Sequence, residues 1–188
     1  MKNVSVRFAV KSDRECLLQI YAVYVKKGIA RDRVVPSAFE FEDRIQRTAN
    51  GFPFVVCQID GQIVGYAYVS VHEDNADNIW TTIYISDLYH RNKIGKALYT
   101  CILDFIKLQG YERIHAIAMA SNEGSIRFHE SFGFKQVGEY PNAIIMEKKF
   151  EDCTDAPNKT ISIQEIDSET SAKLFANAQK IIEDTFRV

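Results

Sequence analysis

The residues of this chain able to do chemistry fall in a few short stretches. Arg91-Asn92-Lys93-Ile94-Gly95-Lys96 places cations and a glycine at the start of an apolar helical stripe. The unpaired N–H groups at a helix start, with the helix dipole behind them, hold phosphate oxygens well. The same cations would serve equally to solvate a helix end. Asn122, Ser125 and His129 share a second stretch that closes at Gly133. Asparagine there is a natural N-cap, and histidine is the side chain that exchanges a proton near neutrality. His72-Glu73-Asp74 offers proton acceptors, although a solvated connection between strands has the same composition. Trp80 presents a ring face suited to a cation. Tyr21, Tyr24, Tyr66 and Tyr68 line either a pocket or the core, and His115, in a strand pattern, reads as a structural histidine. Cys16, Cys57, Cys101 and Cys153 are scattered without a C-x-x-C pair or metal-site spacing, so no metal is expected and the thiols read as reduced.

These groups need elements to position them. Val4 to Val10 alternates and is rich in β-branched residues, an opening strand. Ser12-x-x-Glu15 has the form of a capping box, followed by Leu17, Ile20, Tyr21, Tyr24 and Val25 at helical spacing. Ser37-x-x-Glu40 repeats the signal before a shorter helix through Phe41 and Ile45. Two strand runs flank Asp60-Gly61, a pair that supplies the positive φ values of a tight hairpin turn. Gly65, inside the second run, predicts a bulge or a close backbone approach. His72 to Asn78 reads as a polar connection and Ile79 to Ser86 as a further strand. Gly95 to Gln109 is helical, with Leu98, Cys101, Ile102, Phe105 and Ile106 on one face and Gly110 as its stop. A strand over Arg113 to Met119, a helix from Asn122 to Ser131, and a hairpin around Pro141-Asn142 complete the pattern. The order β-α-α-β-β-β-α-β-α-β-β implies a mixed α/β fold, a mixed twisted sheet flanked by helices.

The texture changes at Glu151. Residues 152–159 read as a linker, Ile161 to Ile166 as an added strand, and the segment after Asp167 or Ser168 as an amphipathic helix carrying Leu174, Phe175, Ala178, Ile181 and Ile182. The expected organisation is a catalytic domain over 1–150 and a C-terminal strand-helix extension over 151–188. The apolar stripe of the last helix requires a partner. The domain itself, a subunit interface, as in a homodimer, or the mouth of the substrate site would provide one.

Composition narrows the class. With 46% hydrophobic and 12% aromatic residues the chain can pack a core, and a net charge of −2 gives no clustered basic face for nucleic acid. The start of the chain lacks the long apolar run of a secretory signal, and no stretch approaches the ~18 apolar residues of a membrane span. A cytoplasmic location is the expectation.

The segment Tyr84-Ile-Ser-Asp-Leu-Tyr-His-Arg-Asn-Lys-Ile-Gly-Lys-Ala-Leu-Tyr99 resembles the acetyl-CoA pyrophosphate motif of the GNAT superfamily of acetyltransferases. Asn122-Glu-Gly-Ser-Ile-Arg-Phe-His-Glu-Ser-Phe-Gly-Phe134 is similar to the helix-and-glycine ending of the same fold, most of all in its phosphinothricin acetyltransferase-like branch. The resemblance runs from about Val4 to Phe150 and leaves the tail unmatched. It implies a GNAT fold and an acetyl-CoA-dependent N-acetyltransferase whose acceptor is a small amine or amino-acid analogue attacking the thioester directly. It implies that Arg91, Asn92, Lys93, Ile94, Gly95 and Lys96 wrap the pyrophosphate. Ile83 and Ile85 would offer backbone groups to the pantetheine arm, and Asn122 and Ser125 would contact the cofactor. His129, beside the cofactor sulfur, would be the acid or bind the thiol.

This sequence departs from the family at three places. His90 stands where Gln or Arg is usual, Lys93 where the first glycine is expected, and Trp80 where similar enzymes carry a glutamate base. Glu73, or His72 or Asp74, is then the substitute base, with Trp80 and Tyr24 on the substrate side. The alternative reading is a catalytically impaired GNAT-fold module that binds acyl-CoA or regulates. A third, acetylation of proteins, has no feature that requires it.

Overall fold

The computed structural model describes residues 2–49, 51–72, 75–150 and 166–186. The chain runs β1 (Val4–Phe8), α1 (Arg14–Lys26), α2 (Ala38–Ala49), β2 (Phe54–Ile59), β3 (Gln62–His72), β4 (Asn75–Ile85), α3 (Ile94–Leu108), β5 (Arg113–Met119), α4 (Glu123–Ser131), β6 (Lys135–Tyr140), β7 (Ala143–Lys149) and α5 (Ser168–Phe186). The strands form a seven-stranded sheet in the order β1-β2-β3-β4-β5-β7-β6. Neighbours are antiparallel except β4 and β5, so the expected mixed sheet is the observed one.

Local chemistry accounts for most boundaries. Asp60 and Gly61 both take positive φ, 50° and 82°, and turn β2 into β3. The register shifts beside Cys57 and Gln58, opposite Gly65, so the bulge is present. The close approach is present too: a Cβ on Gly65 would lie 3.2 Å from the Tyr84 carbonyl oxygen. At α2, Glu40 accepts from the Ser37 backbone N–H at 2.8 Å while the Ser37 hydroxyl accepts from the Glu40 N–H at 3.2 Å. The box expected at Ser12 and Glu15 is replaced. Buried Asp13 accepts from the Val10 N–H at 2.8 Å and receives Arg7 at 2.8 and 3.0 Å, and α1 begins only at Arg14. Burial raises the Asp13 carboxyl, but Arg7 and the Val10 N–H more than offset that and hold it below the usual range.

Strand alternation divides the core in two. Ile79, Thr81, Ile114 and Ala116 face α3, whose Ala97, Leu98, Cys101, Ile102 and Phe105 are buried. On the other face Tyr66 and Tyr84 meet α1 and α2 through Tyr21, Tyr24 and Phe41. One expectation needs correction here. The polar connection over His72 to Asn78 is mostly strand, since β3 runs to His72 and β4 begins at Asn75; Glu73 and Asp74 lie outside the described residues. The apolar stripe of the last helix is buried on this chain's own domain. Leu174, Ala178 and Ile182 of α5 belong to the main core, beside α3 and β1. Gln179 donates to the Val4 carbonyl at 2.8 Å and accepts from the Val6 N–H at 3.1 Å, which covers the edge strand β1. The predicted strand at Ile161 to Ile166 falls outside the described residues except for its last residue.

Candidate active site

The site is opened by what β4 and β5 fail to do. They pair at Trp80 with His115 and Thr81 with Ala116, after which β4 continues to Ile85 and β5 to Met119 without further pairing. The β5-facing edge of β4 over Ile83–Ile85 is thus left unpaired, and this stretch is the candidate cleft. The N-terminus of α3 lies at the end of β4, after a short turn at Asp87–Tyr89.

The cleft edge of β4 is only partly open. Ile85 gives its N–H to the Tyr24 hydroxyl at 3.1 Å, and its carbonyl oxygen accepts from that hydroxyl at 2.7 Å, with His90 Nε2 also 3.1 Å away. Backbone groups of alternate residues point the same way, so Ile83 turns its own N–H and carbonyl to the same cleft. Of the two residues expected to pair with a pantetheine arm, Ile85 is therefore held by Tyr24 and His90. Tyr24, expected on the substrate side, acts as the clasp between α1 and β4. Lys27 adds an ion pair to Asp87 at 2.6 Å.

The loop before α3 has two non-glycine residues with positive φ. Lys93 takes φ 55° and Arg91 φ 64°, both left-handed. No side chain caps α3, and no acidic residue stands in its first turn. Its first N–H groups, flanked by Arg91, Lys93 and Lys96, are thus left to an anion. Gly95 is required by space, because a Cβ there would meet Ile85 Cδ1 at 3.0 Å and Phe128 Cε2 at 3.1 Å. A non-glycine residue pays about 1–2 kcal/mol for a left-handed backbone, and a new glycine loses part of that gain to chain entropy. Lys93→Gly is accordingly expected to raise stability by up to about 1 kcal/mol, read as a higher melting temperature. It also removes a charge at the phosphate end, so acetyl-CoA affinity should fall by about threefold at low salt, the gap closing as salt rises. A lower melting temperature would show that Lys93 is not strained.

On α4, Asn122 accepts from the Ser125 N–H at 3.0 Å, so it caps the helix and Ser125 is held as part of that cap. His129 is 3% exposed, its Nδ1 2.8 Å from the Tyr99 hydroxyl, within a ring cluster of Tyr99, Phe128 and Phe134. Burial pushes its pKa down to about 4, so the imidazole is neutral at pH 7. In this environment the ring offers a neutral N–H donor. Tyr99, which sequence reasoning passed over, is fully buried and its ionisation is driven well up by burial, with Thr81 adjoining its hydroxyl. Its place at i+5 after Ile94 reads in sequence as ordinary helix core.

The tyrosines and Trp80, expected toward a substrate or in the core, lie on the other sheet face. Tyr21 and Tyr66 are core, Tyr21 donating to Asp32 at 2.7 Å. Trp80 lies against the His115 ring, centroids 5.1 Å apart, and His115 Nε2 is 3.1 Å from Glu147. Glu73 lies outside the described residues. Burial holds the Cys57 and Cys101 thiols up at about 12, which leaves them unreactive. Among the described residues no His, Cys, Asp and Glu cluster suits a metal ion, and no helix is long and apolar enough to cross a membrane.

Comparison with known proteins gives these features a family. Residues 6–153 match the acetyltransferase (GNAT) domain. The chain is 27% identical over 141 residues to a phosphinothricin N-acetyltransferase of Streptomyces viridochromogenes, covering 73% of this chain and 77% of that one. It is 26% identical over 143 residues to an L-methionine sulfoximine/L-methionine sulfone acetyltransferase of Salmonella typhimurium, covering 73% and 84%. A GNAT superfamily phosphinothricin acetyltransferase of Sinorhizobium meliloti, solved in complex with acetyl-CoA, superposes with a TM-score of 0.75 at 24% identity over 86% of this chain and 96% of that one.

Proposed function

Because the chain belongs to the acetyltransferase (GNAT) domain family, we propose that it moves the acetyl group of acetyl-CoA to the primary amine of a small amino-acid analogue. The observation that carries this reading is the cleft between β4 and β5, open at Ile83 and ending on the uncapped, cation-flanked start of α3. The residues present fit acetyl-CoA: α3 N–H groups with Arg91, Lys93 and Lys96 would hold its phosphates, and Ile83 would pair with the pantetheine arm. Acetyl-CoA supplies an activated thioester carbonyl. The relatives named above act, by their names, on amino-acid analogues, which supports that acceptor class.

In this reading the Ile83 N–H serves the developing oxyanion. Tyr99 donates to His129 Nδ1, so the neutral ring keeps its proton on Nε2 as a donor for the departing sulfur. Trp80 receives the ammonium over its face before deprotonation. Tyr24 releases Ile85 or stays, and the choice sets how far the arm pairs along β4.

The test is a calorimetric titration with acetyl-CoA and with free CoA, followed by thiol release across phosphinothricin, methionine sulfoximine and common amino acids. Saturable binding with turnover on at least one analogue is the expected result. Binding without turnover on any amine would favour the impaired acyl-CoA-binding module instead, and no binding would overturn both.

A further inference from the structure

The proposed transfer needs a proton acceptor, because an alkylammonium with a pKa near 10.4 is protonated at neutral pH. The β4 position where relatives carry a carboxylate is Trp80 here. The neighbouring strand compensates. His115 on β5 is the register partner of Trp80, and Glu147 on β7 is the register partner of His115. The three side chains therefore stand side by side on one sheet face. Ile117, two residues along, is 49% exposed, so this stretch of the face is not roofed by a helix.

Within the row the ring is oriented. A carboxylate only accepts, so the 3.1 Å contact means that His115 Nε2–H donates to Glu147. The neutral ring then has its lone pair on Nδ1, which is buried and has no hydrogen-bond partner. A buried acceptor left unpaired costs about 1–3 kcal/mol, and catalytic bases are where such a cost is kept. The charges facing the pair are Arg113 at 3.7 Å and Lys149 at 3.8 Å from Glu147, with Lys135 across from it on β6. They hold the Glu147 side chain in place behind the imidazole. His115 keeps 14% side-chain exposure beside the Trp80 indole, the group that must yield for an amine to approach.

We propose that His115 is the proton acceptor of the transfer, with Glu147 as its positioning residue; this rests on the acetyl-transfer reading above. The acceptor ammonium lodged on Trp80 gives one proton to His115 Nδ1, directly or through one water, and the imidazolium later passes it to solvent. The freed nitrogen lone pair forms the C–N bond at the acetyl carbon. As the C–S bond breaks its electron pair stays on sulfur, and the second nitrogen proton ends there as the thiol. His115 stands level with Trp80, about three residues or ~10 Å along the sheet from Ile83.

Two measurements test this. Nitrogen NMR of the ligand-free chain should show His115 in the Nε2–H tautomer; an Nδ1–H tautomer would overturn the proposal. His115→Gln should lower kcat/KM by a hundredfold or more, leave acetyl-CoA affinity within twofold, and abolish the acidic limb of the pH–rate profile. Turnover within threefold of wild type, or an unmoved limb, would overturn it. If His115→Gln fails to fold, seen as lost acetyl-CoA binding, Glu147→Gln carries the test. It should cost about tenfold and move the acidic limb to lower pH, since the imidazolium loses its anionic neighbour; an unmoved limb again overturns the assignment. A wild-type chain that binds acetyl-CoA and acetylates no amine would overturn the parent reading as well, whereas an active wild type with an equally active His115→Gln overturns this one alone.

Discussion

Removal of residues 151–188 is expected to leave a chain that no longer folds cooperatively at 37 °C, although the family domain ends at 153. Leu174 is 8% exposed, Ala178 and Ile182 are 0% exposed, and Phe175 packs edge-on to Phe8 with centroids 4.9 Å apart. Full burial of a leucine or isoleucine contributes about 1.5–3 kcal/mol. The truncation loses both, bares the α3 and β1 surfaces they cover, and strips Gln179 from the edge of β1. A loss of at least about 5 kcal/mol follows, against the ~5–15 kcal/mol that a domain of this kind has in total. Thermal unfolding of the truncated chain measures it, and a melting temperature within about 2 °C of the full chain would overturn the assignment of α5 to the core. Ile182→Ala grades the effect: about 2–5 kcal/mol for a buried large-to-small change, read as a drop on the order of 10 °C. Acetyl-CoA affinity below the transition should stay within twofold, because the polar contact of α5 with α3, Asn177 to Asp104 at 3.4 Å, lies ten residues past the start of α3.

That contrast marks what a sequence can and cannot convey. The stripe Leu174, Ala178, Ile182 announces a buried face but carries no address, since any apolar surface satisfies it. Local devices were legible because their chemistry is local. Asp60-Gly61 needs nothing beyond its own φ preferences, and Ser37 with Glu40 closes on itself. Ser12 with Glu15 has the same form and fails, because Asp13, held by Arg7 from β1, takes the Val10 N–H and α1 starts only at Arg14, without a side-chain cap. The phosphate loop was legible in its cations and in Gly95, whereas its left-handed Lys93 was not, for the left-handed basin is a rare one for lysine. The cleft itself left no trace in sequence, as a β4 that pairs with β5 and one that parts from it have the same apolar alternation. Nor did the row Trp80, His115, Glu147, which spans three strands and owes its assembly to register alone.

His129 separates the stability of the fold from the chemistry of the site. Its pKa of about 4 in the folded chain lies below the ~6.5 of an unfolded histidine. The unfolded state therefore binds the extra proton first as pH falls, and the stability tied to the neutral ring is complete above about pH 6.5 and drains between there and pH 4. The size is about 3 kcal/mol. Asp13 and Asp32, whose carboxyls are held below their usual range, lose their contributions only below that window, so the two effects are separable. His129→Phe keeps the volume of the ring in its aromatic surroundings but strips Tyr99 of its partner, at a cost of about 1–3 kcal/mol that does not vary with pH. The variant should thus be less stable than wild type at pH 7.5, and the two should converge toward pH 4.5. Denaturant unfolding at several pH values measures this, and parallel curves would show that His129 is not held neutral by burial. Kinetically the same variant should lose about a hundredfold in kcat while binding acetyl-CoA normally, if its Nε2–H serves the departing sulfur. Because the ring is neutral throughout the working range, the acidic limb of the rate profile should survive in His129→Phe. The limb belongs to His115, so its loss in His129→Phe and survival in His115→Gln would exchange the two histidines' roles.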